Sequence, residues 1–232
     1  FQYKFFFHYK VSEKIEAPLI AETNCESSRF IASGREDIDV RMLGYGRPFA
    51  VQLINPRLTK NFHGSLLNDT LKRLTVEINK DKDIRLPCNL QKINDKELNI
   101  LKVGQDEKRK CYTAYCYYTQ KLCVDLMENL QCKTPFQIIQ KTPVRVLRRR
   151  PLLDRIRTIY NLHLLMLDDF HFLMRIETQA GTYVKEFVHG DFGRTRPSLA
   201  ELLKVESGEM DILQLDVEKV DMEWPPRINL LD

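Results

Sequence analysis

Five groups of residues have the types and spacing to do chemistry. The first is Gly34-Arg35-Glu36-Asp37-Ile38-Asp39-Val40-Arg41. On an extended strand Arg35, Asp37, Asp39 and Arg41 share one face, because side chains alternate with period two. Guanidinium groups beside a carboxylate lower its pKa, so the acids stay ionised at neutral pH. An ionised carboxylate in a cleft can serve as nucleophile, base or metal ligand. The plainer alternative is a surface ladder of ion pairs. Gly44, Gly46 and Pro48 follow closely and shape a loop around the acids.

The second group is Gln179-Ala180-Gly181-Thr182-Tyr183-Val184-Lys185-Glu186. Glycine permits a tight turn, and Lys185 falls in the first turn of a helix after it. There it can meet a carboxylate or phosphate, or else be an ordinary surface lysine. The third runs from Val144 to Tyr160 and holds six arginines (145, 148, 149, 150, 155 and 157) against one acid, Asp154. Arginine binds phosphate through paired donors and stacks on bases. Six of them around Pro151 and near Tyr160 read as a nucleic-acid-binding loop; a solvated charge run is the alternative. The fourth is Tyr112 in Lys110-Cys111-Tyr112-Thr113-Ala114, a tyrosine for the core or for stacking on a base. The fifth, Asp191-Phe192-Gly193, matches a kinase tripeptide in isolation. No glycine-rich phosphate loop or His-Arg-Asp precedes it, so the match is treated as chance.

The chain that positions these groups has 232 residues, 43% of them hydrophobic, enough for a sizeable core. The formal charge of +4 is too small to identify a partner, but its distribution is uneven. Val205 to Asp232 carries eight acids and only Lys219 and Arg227, opposite in sign to the arginine-rich segment. No window approaches the roughly 20 apolar residues of a membrane helix. The six cysteines contain no Cys-x-x-Cys pair, and the five histidines lack ligand spacing, so no metal site is expected. Without a signal peptide the cysteines read as reduced intracellular thiols.

Patterning predicts a strand over 1–11, an extended piece over 15–22 and a loop or strand–turn over 33–49. A helix follows over 68–79, capped by Asn68 or Asp69. Strands are expected over 110–119 and 135–140, with a short helix over 122–130 between them. Runs 159–167 and 170–178 form a hairpin across Asp168-Asp169. Helices start near 181 and, with Ser198 as cap, over 198–204; a last strand covers 212–220. The class is α+β with mostly antiparallel strands.

Taken together, these segments resemble the pseudouridine synthase 10 family of archaea and eukaryotes. The resemblance is carried by Ser33 to Phe49 (SGREDIDVRMLGYGRPF), Lys110 to Ala114 (KCYTA), Thr142 to Pro151 (TPVRVLRRRP) and Gln179 to Leu199 (QAGTYVKEFVHGDFGRTRPSL). It implies a pseudouridine synthase fold, with a mixed, mostly antiparallel sheet, flanking helices and a central RNA-binding cleft. Residues 1–232 would be one catalytic domain, with room for two sub-domains around the cleft. The family's full-length members also carry an N-terminal RNA-binding region with zinc-binding cysteine pairs; without such pairs, this chain is expected to be the catalytic domain alone. The implied activity is conversion of uridine to pseudouridine in the TΨC arm of tRNA, at position 54, 55 or both. No metal or organic cofactor is implied.

Residue by residue, Asp37 matches the catalytic aspartate and Tyr112 the tyrosine that stacks on the uracil. Lys185 matches the basic partner of the aspartate. Leu199 sits where an aliphatic residue underlies the base, and Arg35 resembles an arginine that helps displace the nucleotide. Arg145, Arg148, Arg149, Arg150, Arg155 and Arg157 would grip the RNA backbone. The family implies tRNA as partner, no membrane, and a place in the nucleus or cytoplasm. Two rivals stand beside this reading: a non-catalytic RNA-binding scaffold, and a metal-dependent phosphodiesterase built on Glu36, Asp37 and Asp39. Arg35 and Arg41 would repel the metal that the second needs.

Overall fold

In a computed structural model, the structure describes residues 10–34, 40–44, 46–121, 123–131, 133–206 and 208–226. The strand expected over 1–11 falls outside them except at its end, where Val11 begins a helix instead. The chain divides into two compact units. One comprises 1–38, 46–105 and 223–232; the other comprises 39–45 and 106–222.

The first unit contains helix α1 (Val11–Thr23), strands β1 (Ser27–Ala32) and β3 (Phe49–Ile54), helix α2 (Leu66–Ile78) and most of helix α3 (Asp95–Glu107). α1 corrects the extended piece expected over 15–22. Its buried residues are Ile15, Leu19 and Thr23, four apart and so stacked on one helical face. Pro18 lies inside this helix, where it withdraws one backbone donor. Burial of the Ile15–Leu19 face against Leu74 and Ile78 of α2 outweighs that local cost. β1 and β3 pair antiparallel, Phe30 opposite Val51, and Phe30 stacks on Phe49 with ring centroids 5.3 Å apart. α2 starts two residues before the expected helix, with Ser65 rather than Asn68 or Asp69 in the cap position. α3 is opened by a reciprocal cap: the Glu97 backbone N–H donates to the Asn94 side chain (3.0 Å), and the Asn94 backbone N–H donates to Glu97 (2.7 Å).

The second unit is built on the strands β2 (Val40–Met42), β4 (Lys110–Tyr118), β5 (Phe136–Lys141), β6 (Asp154–Met166), β7 (His171–Thr178), β8 (Thr195–Arg196) and β9 (Met210–Val220). They form a seven-stranded sheet in the order β2-β9-β4-β7-β6-β5-β8. Among the described residues only the β2–β9 pairing is parallel; the others are antiparallel. The hairpin expected across Asp168-Asp169 forms as β6 and β7. Alternation gives β4 a buried side of Ala114, Cys116 and Tyr118, met by Phe172, Met174 and Ile176 of β7 and Leu162 and Leu164 of β6. Helices α4 (Val124–Gln131), α5 (Val184–His189) and α6 (Leu199–Leu202) cover that face through Met127, Leu130, Val184, Phe187, Val188, Leu199 and Leu203. Ser198 caps α6 as expected, in a reciprocal pairing with Glu201. No helix among the described residues is long and apolar enough to cross a membrane.

Phe172 lies on β7 between β4 and β6 and is fully buried. Phe172→Ala should remove about 3–5 kcal/mol of stability through lost burial and an unfilled cavity. Urea unfolding measures this; a loss below about 1 kcal/mol would mean that the centre of the sheet is not the core.

Candidate functional site

β2 carries the described flank of the Gly-Arg-Glu-Asp segment. Arg35, Asp37 and Asp39 lie outside the described residues, so their expected common face is visible only at Arg41. Arg41 faces Asp216 across the parallel pairing; its Nε donates to Asp216 Oδ1 and its Nη2 to Oδ2, both at 2.7 Å. That carboxylate raises the Arg41 pKa, chiefly through the hydrogen bond. The segment stays on β9 beyond the strand, where the Leu43 N–H donates to the Val217 carbonyl at 2.8 Å. Gly44 follows with φ +63°, and a Cβ there would collide with the Glu218 carbonyl. Only glycine fits this approach.

Glu218 is also the extra residue of a β-bulge. In the β4–β9 ladder Cys111 faces Lys219 while Tyr112 faces Val217. The residues across this row are Met42, Val217, Tyr112, Ile176 and Leu162. Tyr112 thus sits two strands from β2, about 10 Å away at ordinary strand spacing. It is half-buried and packed against the core cluster. By alternation it shares the core side with Ala114, whereas Arg41 and Asp216 project from the other side.

Lys185 is the second residue of α5 and is partly exposed. Its neighbours Val184, Phe187 and Val188 are buried apolar residues. The chain enters α5 through Gly181 (φ +76°), whose missing Cβ would lie 3.3 Å from the Arg157 guanidinium. Glu186 is 2% exposed, and Arg145 Nε donates to its Oε1 at 2.6 Å. A buried carboxylate requires such a partner. Leu199, expected under the base, is 0% exposed and packs with Val184, Phe187 and Leu203. Its apolar surface therefore goes to the protein core in this structure.

The arginine-rich segment is not one loop, which corrects the sequence expectation. Val144–Val146 forms a 3-10 turn, Arg148, Arg149 and Arg150 are exposed in the turn after it, and Arg155 and Arg157 lie on β6. Beyond Pro151 the β5–β6 pairing takes the backbone into a strand from Asp154 onward. Arg155 Nη1 donates to Thr142 Oγ1 at 3.1 Å. Arg157 Nε is enclosed without a hydrogen-bond partner among the described residues. Burial, then the neighbouring Arg155 charge, lowers the Arg157 pKa. No group of three or more His, Cys, Asp or Glu residues able to hold a metal occurs among the described residues.

Sequence reasoning passes over Gln140. It occupies the core side of β5 with Phe136 and Ile138 and is 0% exposed. The Tyr183 N–H donates to its Oε1, and its Nε2 donates back to the Tyr183 carbonyl, both at 2.9 Å. The same Nε2 reaches Thr195 Oγ1 at 3.3 Å. One amide thereby fixes the residue from which α5 starts, two positions before Lys185. The available signal was a polar residue continuing an alternating apolar face; its partner, 43 positions away, leaves no local trace.

The sheet and its helices place the chain among proteins with the pseudouridine synthase fold. A chain of a solved Cbf5-Nop10-Gar1 complex superposes with a TM-score of 0.51 at 15% identity, covering 91% of this chain and 45% of that one. The family is narrower. The family model described as "Pus10, C-terminal" matches residues 4–221, and the chain belongs to that family. The tRNA pseudouridine synthase Pus10 of Mus musculus is 44% identical over 222 residues, covering 94% of this chain and 40% of that protein. Its namesake in Methanocaldococcus jannaschii is 36% identical over 208 residues, covering 88% and 43%. The chain thus spans less than half the length of these curated relatives.

Gln140→Leu keeps the volume but leaves the Tyr183 N–H without its acceptor, while the Tyr183 carbonyl keeps the Phe187 N–H at 3.0 Å. It should cost about 1–3 kcal/mol, the desolvation penalty of one orphaned group. Chemical denaturation tests this, and a cost below about 1 kcal/mol would make the amide bonds dispensable.

Proposed function

We propose that this chain is the catalytic domain of a tRNA pseudouridine synthase that isomerises uridine to pseudouridine in the TΨC arm, at position 54, 55 or both. The family match over residues 4–221, which includes the Gly-Arg-Glu-Asp segment, carries this reading. In the proposed reaction the bond between uracil N1 and ribose C1′ breaks and the base rotates. A bond from C5 to C1′ then forms, C5 losing its proton and N1 gaining one. Asp37 acts at the sugar, either attacking C1′ or removing a ribose proton. Arg35 helps displace the nucleotide from its stack.

Tyr112 offers the stacking face, an arrangement consistent with its half-buried place at the end of the core side of β4. Lys185 holds the aspartate ionised and oriented; its backbone position is set by Gln140 and by the buried apolar neighbours of α5. Leu199 supports this arrangement from within the core. Extracting a base costs a few kcal/mol, which stacking and phosphate contacts offset. Arg148, Arg149 and Arg150, exposed and without an ion pair among the described residues, have free donors for the RNA backbone. The chemistry proposed breaks no phosphodiester and needs no cofactor. The site of action is the nucleus or cytoplasm, wherever its tRNA substrate is matured.

An unmodified tRNA transcript and site-specific pseudouridine mapping test the reading. The wild-type chain should form the product in excess EDTA, which the phosphodiesterase alternative forbids. Asp37→Asn should abolish product formation while RNA binding persists, which the scaffold alternative does not foresee. Product at the wild-type rate from Asp37→Asn would end the catalytic assignment.

Replacing Arg148, Arg149 and Arg150 together by alanine should weaken tRNA binding. The slope of log K against log salt should fall by about one for each phosphate that is no longer neutralised. An unchanged slope would move the RNA track elsewhere.

A further inference from the structure

Four consecutive residues after α5, Gly190, Asp191, Phe192 and Gly193, have φ of +80°, +48°, +57° and +78°. The left-handed region is unfavourable for residues bearing a Cβ, and such residues occur there singly rather than in runs. A strained pair like Asp191-Phe192 persists only where its surroundings over-determine it, and such places cluster at ligand-holding sites. The surroundings here do so. Asp191 Oδ2 accepts the Val144 N–H at 3.0 Å, and the Asp191 N–H donates to His189 Nδ1 at 3.1 Å. The Thr195 N–H donates to the Gly190 carbonyl at 3.1 Å, and the Arg194 N–H to the Asp191 carbonyl at 3.1 Å. Arg194 also grips the Thr142 carbonyl through Nε at 3.1 Å and Nη2 at 2.7 Å.

All of this holds one side chain out into water. Phe192 is 91% exposed, the highest value among the exposed large hydrophobic residues described. The isolated protein gains no burial from that ring, yet its backbone is strained and bonded on both sides. Basic residues flank the turn, Arg194 paired with Asp191 at 3.7 Å and Arg196 with Glu201 at 3.6 Å. The hydrogen bond to Val144 ties the turn to the start of the segment bearing the exposed Arg148, Arg149 and Arg150. On its other side Gly193 leaves room for the Arg196 guanidinium, 3.0 Å from where a Cβ would stand. A rigid, solvent-facing aromatic ring among guanidinium groups suits a ligand that alternates flat π-faces with negative charge. Single-stranded nucleic acid has that chemistry, since bases stack on aromatic rings while phosphates meet arginines.

We propose that Phe192 is a stacking platform for an unpaired RNA base, on a turn pre-shaped for the purpose and anchored to the arginine segment. It is separate from Tyr112, which lies half-buried on β4. The proposal rests on the RNA-binding reading above and adds a second point at which a base is held.

The test uses the whole chain and an unmodified tRNA transcript. Phe192→Ala should weaken binding about tenfold with an unchanged salt slope, because a stacked base releases no counterions. Phe192→Gly should bind as weakly, yet melt at or above the wild-type temperature, because glycine relieves the positive φ. A merely structural phenylalanine would lower the melting temperature and leave binding alone. Phe192→Trp should retain affinity, and its added fluorescence over the native Trp224 signal should be quenched by tRNA. Wild-type affinity in Phe192→Ala, or an unquenched Phe192→Trp, overturns the proposal. If the wild-type chain itself fails to bind tRNA, the RNA-binding reading falls instead, and this proposal with it.

Discussion

The placement of Lys185 depends on the side-chain amide of Gln140. Buried in a sheet and surrounded by apolar groups, it has few available partners and satisfies itself on the backbone of Tyr183. This is a substitute strand pairing: β5 uses a side chain to bond a segment that has left the sheet. Because a buried polar group without partners is costly, the register between β5 and the entry to α5 is fixed. Lys185 then follows from helix geometry. Val184, Phe187 and Val188 take the core positions of a six-residue helix, and Glu186 is drawn inward by Arg145. That leaves Lys185 on the partly exposed side.

The opposite edge of the sheet uses the same economy of fixed backbone. β2 is only three residues long, yet it is held to β9 by a two-point guanidinium–carboxylate pair. The chain then passes so close to the β9 bulge at Glu218 that residue 44 must be glycine. The bulge shifts the ladder at Tyr112 itself. The segment flanking Asp37 and the strand carrying Tyr112 are therefore positioned by one irregularity in β9, and a change at Glu218 would be felt by both. Bulges commonly re-aim side chains in this way.

Much of the second unit was legible from local pattern. β7 alternates in burial along its length and β4 over its second half, the Asp168-Asp169 turn marks the β6–β7 hairpin, and Ser198-x-x-Glu201 announces α6. The first unit was read less well, for identifiable reasons. Pro18 masks the four-residue spacing of Ile15, Leu19 and Thr23 in α1. Asn94 and Glu97 form a capping pair that sequence reasoning could have found, but the helix after it is too weakly apolar to attract notice. β1 and β3 are short and stabilise each other mainly across the pairing. Tyr112 and Lys185 stand out in the sequence by residue type and motif, whereas the burial of Leu199 and the bonding of Gln140 depend on contacts distant in sequence.

The arginine segment shows how a charge run acquires parts. As sequence it is a string of like residues. In the fold each arginine meets a different constraint: Arg145 neutralises a buried carboxylate, Arg155 bonds Thr142, Arg157 is enclosed beside Gly181, and Arg148 to Arg150 remain in water. A guanidinium already committed to a buried acid cannot leave for a phosphate without stranding that acid, which penalises release heavily. Arg145 is therefore a structural cation within a stretch of overall positive charge. The exposed trio is different: each can exchange water for phosphate at little cost. Positive charge along the chain thus separates into a part that builds the site and a part free to bind a ligand, a division that burial makes and composition cannot.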